Sequence, residues 1–396
     1  MSGPLAGVKV LELAQIMAGP TCGMLLADLG ADVIKVERLP GGDDTRSFSR
    51  PSVNGESAAF MAMNRNKRGI ALNLKIPAAR DALKRMAAQA DVLTENYRKG
   101  ALDKLGLGYE ALKALNPALI YCSISGYGRT GPYADKGGFD LIAQGMSGLM
   151  SITGEPGGAP VKSGSPVCDI NAGILAALGI VSAYVHRLKT GAGQLVDTSL
   201  FEAGIHQTFW HSAIYFATGT APGPSGSAHI LSAPYQAFAA SDGWLNIGGA
   251  NQANWERVAR VLGAPEWIDD ARFRSNAERM RNLQALTDLM NARLKTKGVR
   301  EWIAALEAEG VPCGPINTIA AMAADPQTMA RDMVVALQHP VAGATRVLGL
   351  PIKLSATPGG VARPAPTFGQ HTREVLAEFG FATAEIEALY ASDAAA

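Results

Sequence analysis

At 396 residues, with 47% hydrophobic and 18% charged side chains, the chain can bury a sizeable core over roughly two or three domains, and it is not a disordered sequence. A net charge of +1 without a long basic run argues against nucleic acid as a main partner, and leaves room for a local basic patch facing a phosphorylated ligand. The first residues lack a basic n-region and an apolar signal core, and the longest apolar run, 172–185, falls short of the ~20 residues that span a bilayer. A cytoplasmic protein with no membrane partner is the expectation. Cys22, Cys122, Cys168 and Cys313 form no CxxC pair, and none of the six histidines has HExxH or HxH spacing, so neither a disulfide framework nor a metal centre is expected.

Val8–Leu13 is a short β-like run, broken by Ala18-Gly-Pro20, where Pro20 suits the first turn of a helix and Gly30 its exit. Val33–Glu37 is a second strand, and a strand–helix–strand unit of this length points to a parallel α/β sheet. No GxGxxG follows the first strand, so a dinucleotide site is unsupported. Gly41–Gly55 reads as a loop, 69–74 as a strand, 75–90 as an amphipathic helix, and 91–96 and 119–125 as further strands. In such sheets the polar residues just past the strands face the ligand crevice. Ser199–Phe216 reads as helical. Ala221-Pro-Gly-Pro-Ser-Gly226 is the strongest linker signal and sets a domain boundary, with a mostly helical α+β segment to Gly310 and a rigid turn at Gly310-Val-Pro-Cys-Gly-Pro315. Val347–Leu354 resembles a strand, Thr372–Glu378 a helix, and the Ala-rich tail after Tyr390 is expected to fray.

The stretch with most chemical content is Ser165-Pro-Val-Cys-Asp169, which ends a Gly-rich approach and opens a long helix-forming run. Asp169 sits where an N-cap is expected, near the positive end of the helix dipole. It reads either as a simple cap or as an anionic nucleophile at a cleft floor. Lys35, Arg38, Arg65, Lys67, Arg68, Lys75, Arg98, Lys99 and Lys104 cluster near predicted strand ends; each alone reads as a solvated charge, and together they suit an anionic, phosphate-bearing ligand. Ser163-Gly-Ser165 is not a nucleophile elbow, because Lys162 stands where the first glycine belongs. Asp43-Asp44 lies in a loop without a ligand partner nearby.

The chain resembles the class III CoA-transferases, the formyl-CoA transferase and CaiB/BaiF group, from about Leu5 to Leu389. The resemblance is carried by Ala18-Gly-Pro20, Leu29–Arg38, Asn66-Lys-Arg68, Leu72–Lys75, Glu95-Asn96, Gly100–Gly106, Ser125-Gly-Tyr-Gly128, Val161–Asp169, Gly310–Pro315 and Gly369–Thr372. It implies an α/β fold: a large Rossmann-like domain with an open parallel sheet (1–220 and 320–396), a smaller α+β domain (221–319), and an interlocked homodimer. It implies Asp169 as nucleophile, forming a mixed anhydride and then an aspartyl-CoA thioester, with an acyl-CoA and a small (di)carboxylic acid as substrates, succinyl-CoA a common donor, and no permanently bound cofactor. An ordinary aspartate, with a pKa of about 3.9, would be ionised at neutral pH and need no general base. CoA contacts carry over to Arg38, Leu72, Asn73, Leu74, Lys75, Asn96, Tyr97 and Arg98. They extend to Lys104, where the family enzyme has arginine, and to Lys136, one place from a family lysine position that is Gly137 here. The place of the family's catalytic glutamine is Met17; Gln15, two residues upstream, would reach the site if the backbone there is extended. The substrate pocket is expected around Met17, Phe48, Phe139, Asp140 and Gly226.

The competing readings are an α-methylacyl-CoA racemase and a non-catalytic CoA-binding protein. The racemase needs a histidine before the aspartate that is here Phe139-Asp140, and phenylalanine cannot move a proton. The intact Asp169 loop argues against the second.

Overall fold

A computed structural model describes residues 3–396. The chain divides into two compact units, one made of 1–149, 162–213 and 326–396, the other of 150–161 and 214–325.

The first unit is built on a six-stranded parallel sheet: β1 (Lys9–Glu12), β2 (Asp32–Arg38), β3 (Arg68–Leu72), β4 (Val92–Glu95), β5 (Ile120–Ser125) and β6 (Leu195–Ser199). Their spatial order is β3-β2-β1-β4-β5-β6, all neighbours parallel. The chain therefore starts in the middle, winds one way to β3, and returns to wind the other way from β4. Ligands of such sheets bind beyond the carboxyl ends of the strands where the winding reverses, here between β1 and β4.

Adjacent residues of a strand feed opposite cores, as the pleat requires. Leu11, Ile34, Leu72 and Leu93 point to one face, with Leu83 and Met86 of α2 (Pro77–Ala87) and Leu112 of α3 (Tyr109–Leu115). Val10, Val33, Val92 and Ile120 point to the other, with Leu26 of α1 (Ala18–Asp28). That second face also holds α4 (Asp140–Met146), α5 (Val167–Thr190) and α6 (Leu200–Gln207).

The helix α5 runs 24 residues, well past the apolar run read from sequence. By length and composition it is the one helix among the described residues able to cross a membrane. One side of it, Cys168, Ala172, Gly173, Ala176, Ile180 and Ala183, is buried against the first unit's core. Small residues let two helices approach closely: a Cβ at Gly173 would sit 2.6 Å from the Ala18 carbonyl oxygen and 2.7 Å from Thr21 Cβ. The opposite side exposes Ile174, Leu178, Val185 and Leu188.

The second unit holds a three-stranded antiparallel sheet of β7 (Tyr235–Ala239), β8 (Trp244–Gly248) and β9 (Cys313–Pro315), in the order β9-β8-β7. Its core is Trp255 and Val258 of α7 (Gln252–Val261), Leu286 and Met290 of α8 (Leu283–Leu294) and Trp302 and Leu306 of α9 (Val299–Ala308). Two expectations change here. The segment Cys313–Pro315 is an edge strand, not only a turn, and β7 had not been anticipated, because its exposed Tyr235 and small residues gave little alternation.

Back in the first unit, β10 (Val334–His339) and β11 (Gly343–Leu348) form a hairpin, so the predicted strand at 347–354 begins earlier and ends at 348. Helices α10 (Thr372–Glu378) and α11 (Thr383–Ala391) close the β2–β3 side. The Ala-rich tail does not fray. Ala394 and Ala395 are buried, Asn73 N–H donates to Ala394 O, and Ala396 N–H donates to Ala71 O, so the tail covers the open edge of β3. Covering an edge strand satisfies its outward backbone groups.

Candidate active site

The segments beyond β1, β4 and β5 meet at the winding reversal and enclose a cavity of about 290 Å3. It is lined by Gln15, Ile16, Met17 and Ala18 after β1, by Asn96–Lys99 after β4, and by Ile124–Gly126 at the end of β5, with Lys136–Phe139, Asp169 and Leu200 completing it. The family resemblance singled out Asp169 and Gln15 as catalytic, Asn96, Tyr97, Arg98 and Lys136 as CoA contacts and Met17 and Phe139 as substrate pocket, and all eight line this one cavity. Lys99 and Ile16 also line it; Lys99 had been read only as one of many cations.

Asn96 stitches the reversal: its side-chain oxygen accepts from Gln15 N–H (2.9 Å) and its amide donates to Gln15 O (2.8 Å). The backbone at this point is not extended. Ile16 has φ +68°, so the argument from alternating side chains that placed Gln15 beside Met17 does not describe this turn, although both residues line the cavity. The Gln15 side-chain amide has no hydrogen-bond partner among the described residues.

Asp169 is not the cap of its helix. The residue at the cap position is Pro166, whose ring has no hydrogen-bond acceptor, and Asp169 stands third in α5. The capping carboxylate comes from Asp140, the first residue of α4: its Oδ1 accepts from Cys168 N–H (2.9 Å) and, more weakly, from Asp169 N–H (3.3 Å). Gln144, one turn along α4 and buried, donates to Asp140 Oδ2 (2.7 Å) and accepts from Ser163 N–H (2.9 Å). The end of the Gly-rich approach is thereby tied to Asp140. Gln144 went unnoticed in the sequence, where a lone glutamine carries no signal.

Asp169 makes no ion pair among the described residues, and Asp140 lies beside it. Burial, and then the charge of Asp140, push the Asp169 carboxyl up to about 7. A partly buried carboxylate with a like charge beside it resists ionisation. The expectation of an ordinary aspartate is corrected: in the free protein this carboxyl is harder to ionise than a solvated one.

A second cavity of about 450 Å3 lies over the ends of β2 and β3, lined by Val36–Pro40, Leu72, Asn73, Leu74, Lys75, Tyr97, Ala101, Leu102 and Leu105. Here the structure gathers Arg38, the whole Leu72–Lys75 segment and Tyr97, and Tyr97 lines both cavities. Arg38 and Lys75 stand at its rim, Arg38 in an ion pair with Asp44 and half-exposed. Arg98 packs against Gly137, where an added Cβ would come within 3.2 Å of its guanidinium. Lys136 lies over the Tyr133 ring, 3.9 Å from its centroid, on the wall of the Asp169 cavity and not the larger one. Lys104 and Phe48 are exposed and line neither cavity. Gly226 belongs to the second unit, where it takes φ +60°.

Four of the cations read as surface charges are buried. Arg65 pairs with Asp28 (2.6 Å), and Arg68 bridges Asp32, Glu374 and Glu378 (2.6–2.9 Å). Lys35 and Lys67 lie beneath the β1 exit with Glu12 and Asp43. A side chain of this type is buried only with a partner, and each has one. Among the described residues no group of three or more His, Cys, Asp or Glu is placed to hold a metal ion.

A parallel sheet with this order, one cavity at its reversal and a second over the neighbouring strand ends define an α/β protein of the kind whose ligands bind at the strand ends. The family model described as CoA-transferase family III matches residues 5–372, and the chain belongs to that family. It is 41% identical to a succinate–glutarate CoA-transferase of Agrobacterium fabrum, over 95% of each chain. It is 40% identical to a succinyl-CoA:glutarate CoA-transferase of Mus musculus, covering 95% of this chain and 86% of the relative. The crystal structure of a CaiB/BaiF family protein from Brucella suis superposes with a TM-score of 0.87 at 42% identity, covering 96% of this chain and all of that one.

Proposed function

We propose that this enzyme moves CoA from succinyl-CoA to glutarate or a closely related dicarboxylate, with Asp169 as covalent nucleophile. The observation that carries the reading is the unpaired Asp169 in one cavity with the free Gln15 amide, at the sheet's reversal and beside a larger cavity shaped by Leu72–Lys75 and Tyr97. The Agrobacterium and mouse relatives supply the substrate class.

In this reading the CoA body lies along Arg38, Leu72–Lys75 and Tyr97, and its phosphates lie toward the cationic rim. The ionised Asp169 attacks the thioester carbonyl, the C–S bond breaks, and CoA leaves as a thiolate. The thiolate then attacks the aspartyl carbonyl of the mixed anhydride, which releases succinate and leaves an aspartyl-CoA thioester. The acceptor carboxylate attacks that thioester, the thiolate leaves again, and its attack on the acceptor carbonyl yields the new acyl-CoA and restores Asp169. No proton need be gained or lost overall. The helix amides at Cys168 and Asp169 are already taken by Asp140, so they are not the donors that meet the developing oxyanions. The Gln15 carboxamide is a free donor in the cavity, and a donor aimed at a developing oxyanion is worth about 100- to 1,000-fold in rate. Lys136, Phe139 and Met17 would shape the acceptor's place.

The division of labour belongs to the same reading: 1–220 with 320–396 binds CoA and carries the chemistry, and 221–319 forms a small domain. So does a homodimer, which would cover the apolar side of α5 at Ile174, Leu178, Val185 and Leu188.

The test is a panel of carboxylic acids incubated with succinyl-CoA, with the CoA products identified by mass spectrometry. Glutaryl-CoA or a homologous dicarboxylyl-CoA is the expected product. No transfer from any common acyl-CoA to any acid would overturn the reading, as would hydroxylamine trapping that is the same in wild type and Asp169→Ala.

A further inference from the structure

Beneath the β1 exit lies a group of charges that neither binds substrate nor faces solvent. Lys35 Nζ is 2.8 Å from Asp43 Oδ2 and 3.2 Å from Glu12 Oε1, and it donates to Ala14 O at 2.9 Å. Lys67 Nζ is 2.8 Å from Glu12 Oε2 and donates to Pro20 O and to Asn64 Oδ1, each at 2.9 Å. All four charged side chains are at most 3% exposed as residues. The helix above leaves no slack: a Cβ at Gly23 would fall 1.7 Å from Glu12 Oε2, and one at Gly19 would fall 2.1 Å from Ala14 Cβ.

Two ammonium groups thus grip the carbonyls at the two ends of Ala14–Pro20, and the middle is held by Asp43. Its Oδ1 and Oδ2 accept from Ile16 N–H at 3.1 and 3.2 Å, while Thr45 N–H and Thr45 Oγ1–H donate to Oδ1 at 2.9 and 2.8 Å. Ile16 is the residue at φ +68°. A β-branched side chain does not adopt that conformation unaided, and such strain persists only where the surroundings over-determine it. The flanking residues, Gln15 and Met17, line the cavity with Asp169. Burial alone would raise the Asp43 carboxyl; the charge of Lys35 and its hydrogen bonds bring it down to about 2 instead, so it stays an acceptor throughout the neutral range.

We infer that Asp43 is a positioning residue: clamped by the buried Lys35, it holds Ile16 in the left-handed turn and thereby aims the Gln15 carboxamide into the Asp169 cavity. Asp43 touches no substrate. Its carboxylate accepts the Ile16 N–H, as the Asn96 side chain accepts that of Gln15. The inference rests on the proposed chemistry only for the use made of Gln15, not for the holding of the turn.

Two readouts separate these parts. In hydrogen exchange, the Ile16 amide of the wild type is protected, and Asp43→Asn raises its exchange rate about tenfold or more while strand amides at β4 keep theirs. In kinetics with succinyl-CoA and glutarate, Asp43→Asn lowers kcat by about 10- to 100-fold, the scale of a misplaced group, with KM for succinyl-CoA within about twofold. Ile16→Gly, which needs no clamp to reach positive φ, makes the Asp43→Asn loss in kcat several-fold smaller when the two are combined. Should Asp43→Asn not fold, Thr45→Val removes one hydrogen bond from the carboxylate with every charge left in place; kcat then falls several-fold at unchanged KM. An Ile16 amide indifferent to both variants would overturn the holding of the turn. Faster exchange with unchanged kcat, or equal losses with and without Ile16→Gly, would overturn the positioning. If the wild type transfers no CoA, the proposed function fails and the exchange result still decides the clamp.

Discussion

Two groups of carboxylates lie at the same edge of the sheet, a buried one under the β1 exit and a half-buried one at the mouth of α5. Glu12 and Asp43 each have a lysine ammonium within 2.8 Å, while Asp140 has only the neutral Gln144 amide and two backbone N–H groups, and neither Asp140 nor Asp169 has a counter-charge among the described residues. The consequence is opposite: Asp43 is held down at about 2 and Asp169 is pushed up to about 7. Burial acts the same way on both, so the difference is the counter-charge. A neutralised carboxylate serves as a fixed acceptor and stabilises the backbone around it. A carboxylate denied a partner stays costly to ionise and available to an electrophile. The fold places the first kind beneath the loop and the second kind in the cavity that the loop helps to line.

The contrast predicts effects of descending size. Asp169→Asn should reduce transfer by about 1,000-fold or more, since it removes the carboxylate that forms the acyl bond in this account. The same substitution should stabilise the protein at pH 8. The folded value of about 7 lies above the unfolded ~3.9. Folding therefore favours the protonated acid, and stability falls as pH rises through that window, a cost that asparagine does not incur. A melting temperature at pH 8 below that of wild type would break the contrast. On the paired side, Lys35→Met leaves Glu12 and Asp43 short of a buried cation and should destabilise by about 3–5 kcal/mol in urea unfolding. A loss within error would mean that the cluster holds nothing.

A smaller effect sharpens the link between the two aspartates. Asp140→Asn keeps an acceptor for the α5 amides but removes the like charge, so the acid limb of kcat/KM, near pH 7 in wild type, should move to lower pH. A limb that stays in place would assign the raised value to burial alone. Smallest is Arg38→Ala at the rim of the larger cavity. There a half-exposed cation contributes modestly, and KM for succinyl-CoA should rise by a few-fold at unchanged kcat.

The sheet was legible because its strands are short apolar runs ended by polar residues, and a strand–helix–strand unit at the start admits few topologies. The cavity-lining segments Leu72–Lys75 and Asn96–Arg98 were legible because they match the family's motifs just past those strands. The two aspartates as a pair were not, since Asp140 and Asp169 are 29 residues apart and belong to different helices. The cap could not be read either: an aspartate near a helix start suggests its own cap, whereas the neighbouring helix supplies the carboxylate. Lys35 and Lys67 look like any surface lysine in sequence, because burial with a partner is a property of the assembled sheet. The tail after Tyr390 misled for the same reason; alanines give no signal until an open strand edge offers backbone partners.

The central claim is that the unpaired carboxylate is the one that reacts. Mass spectrometry of the enzyme quenched during turnover with succinyl-CoA, followed by peptide mapping, tests it most directly. The account predicts a peptide containing Asp169 heavier by one CoA less one water, absent in Asp169→Asn. A CoA adduct on another residue, or turnover with no adduct and with Asp169→Asn active, would contradict it.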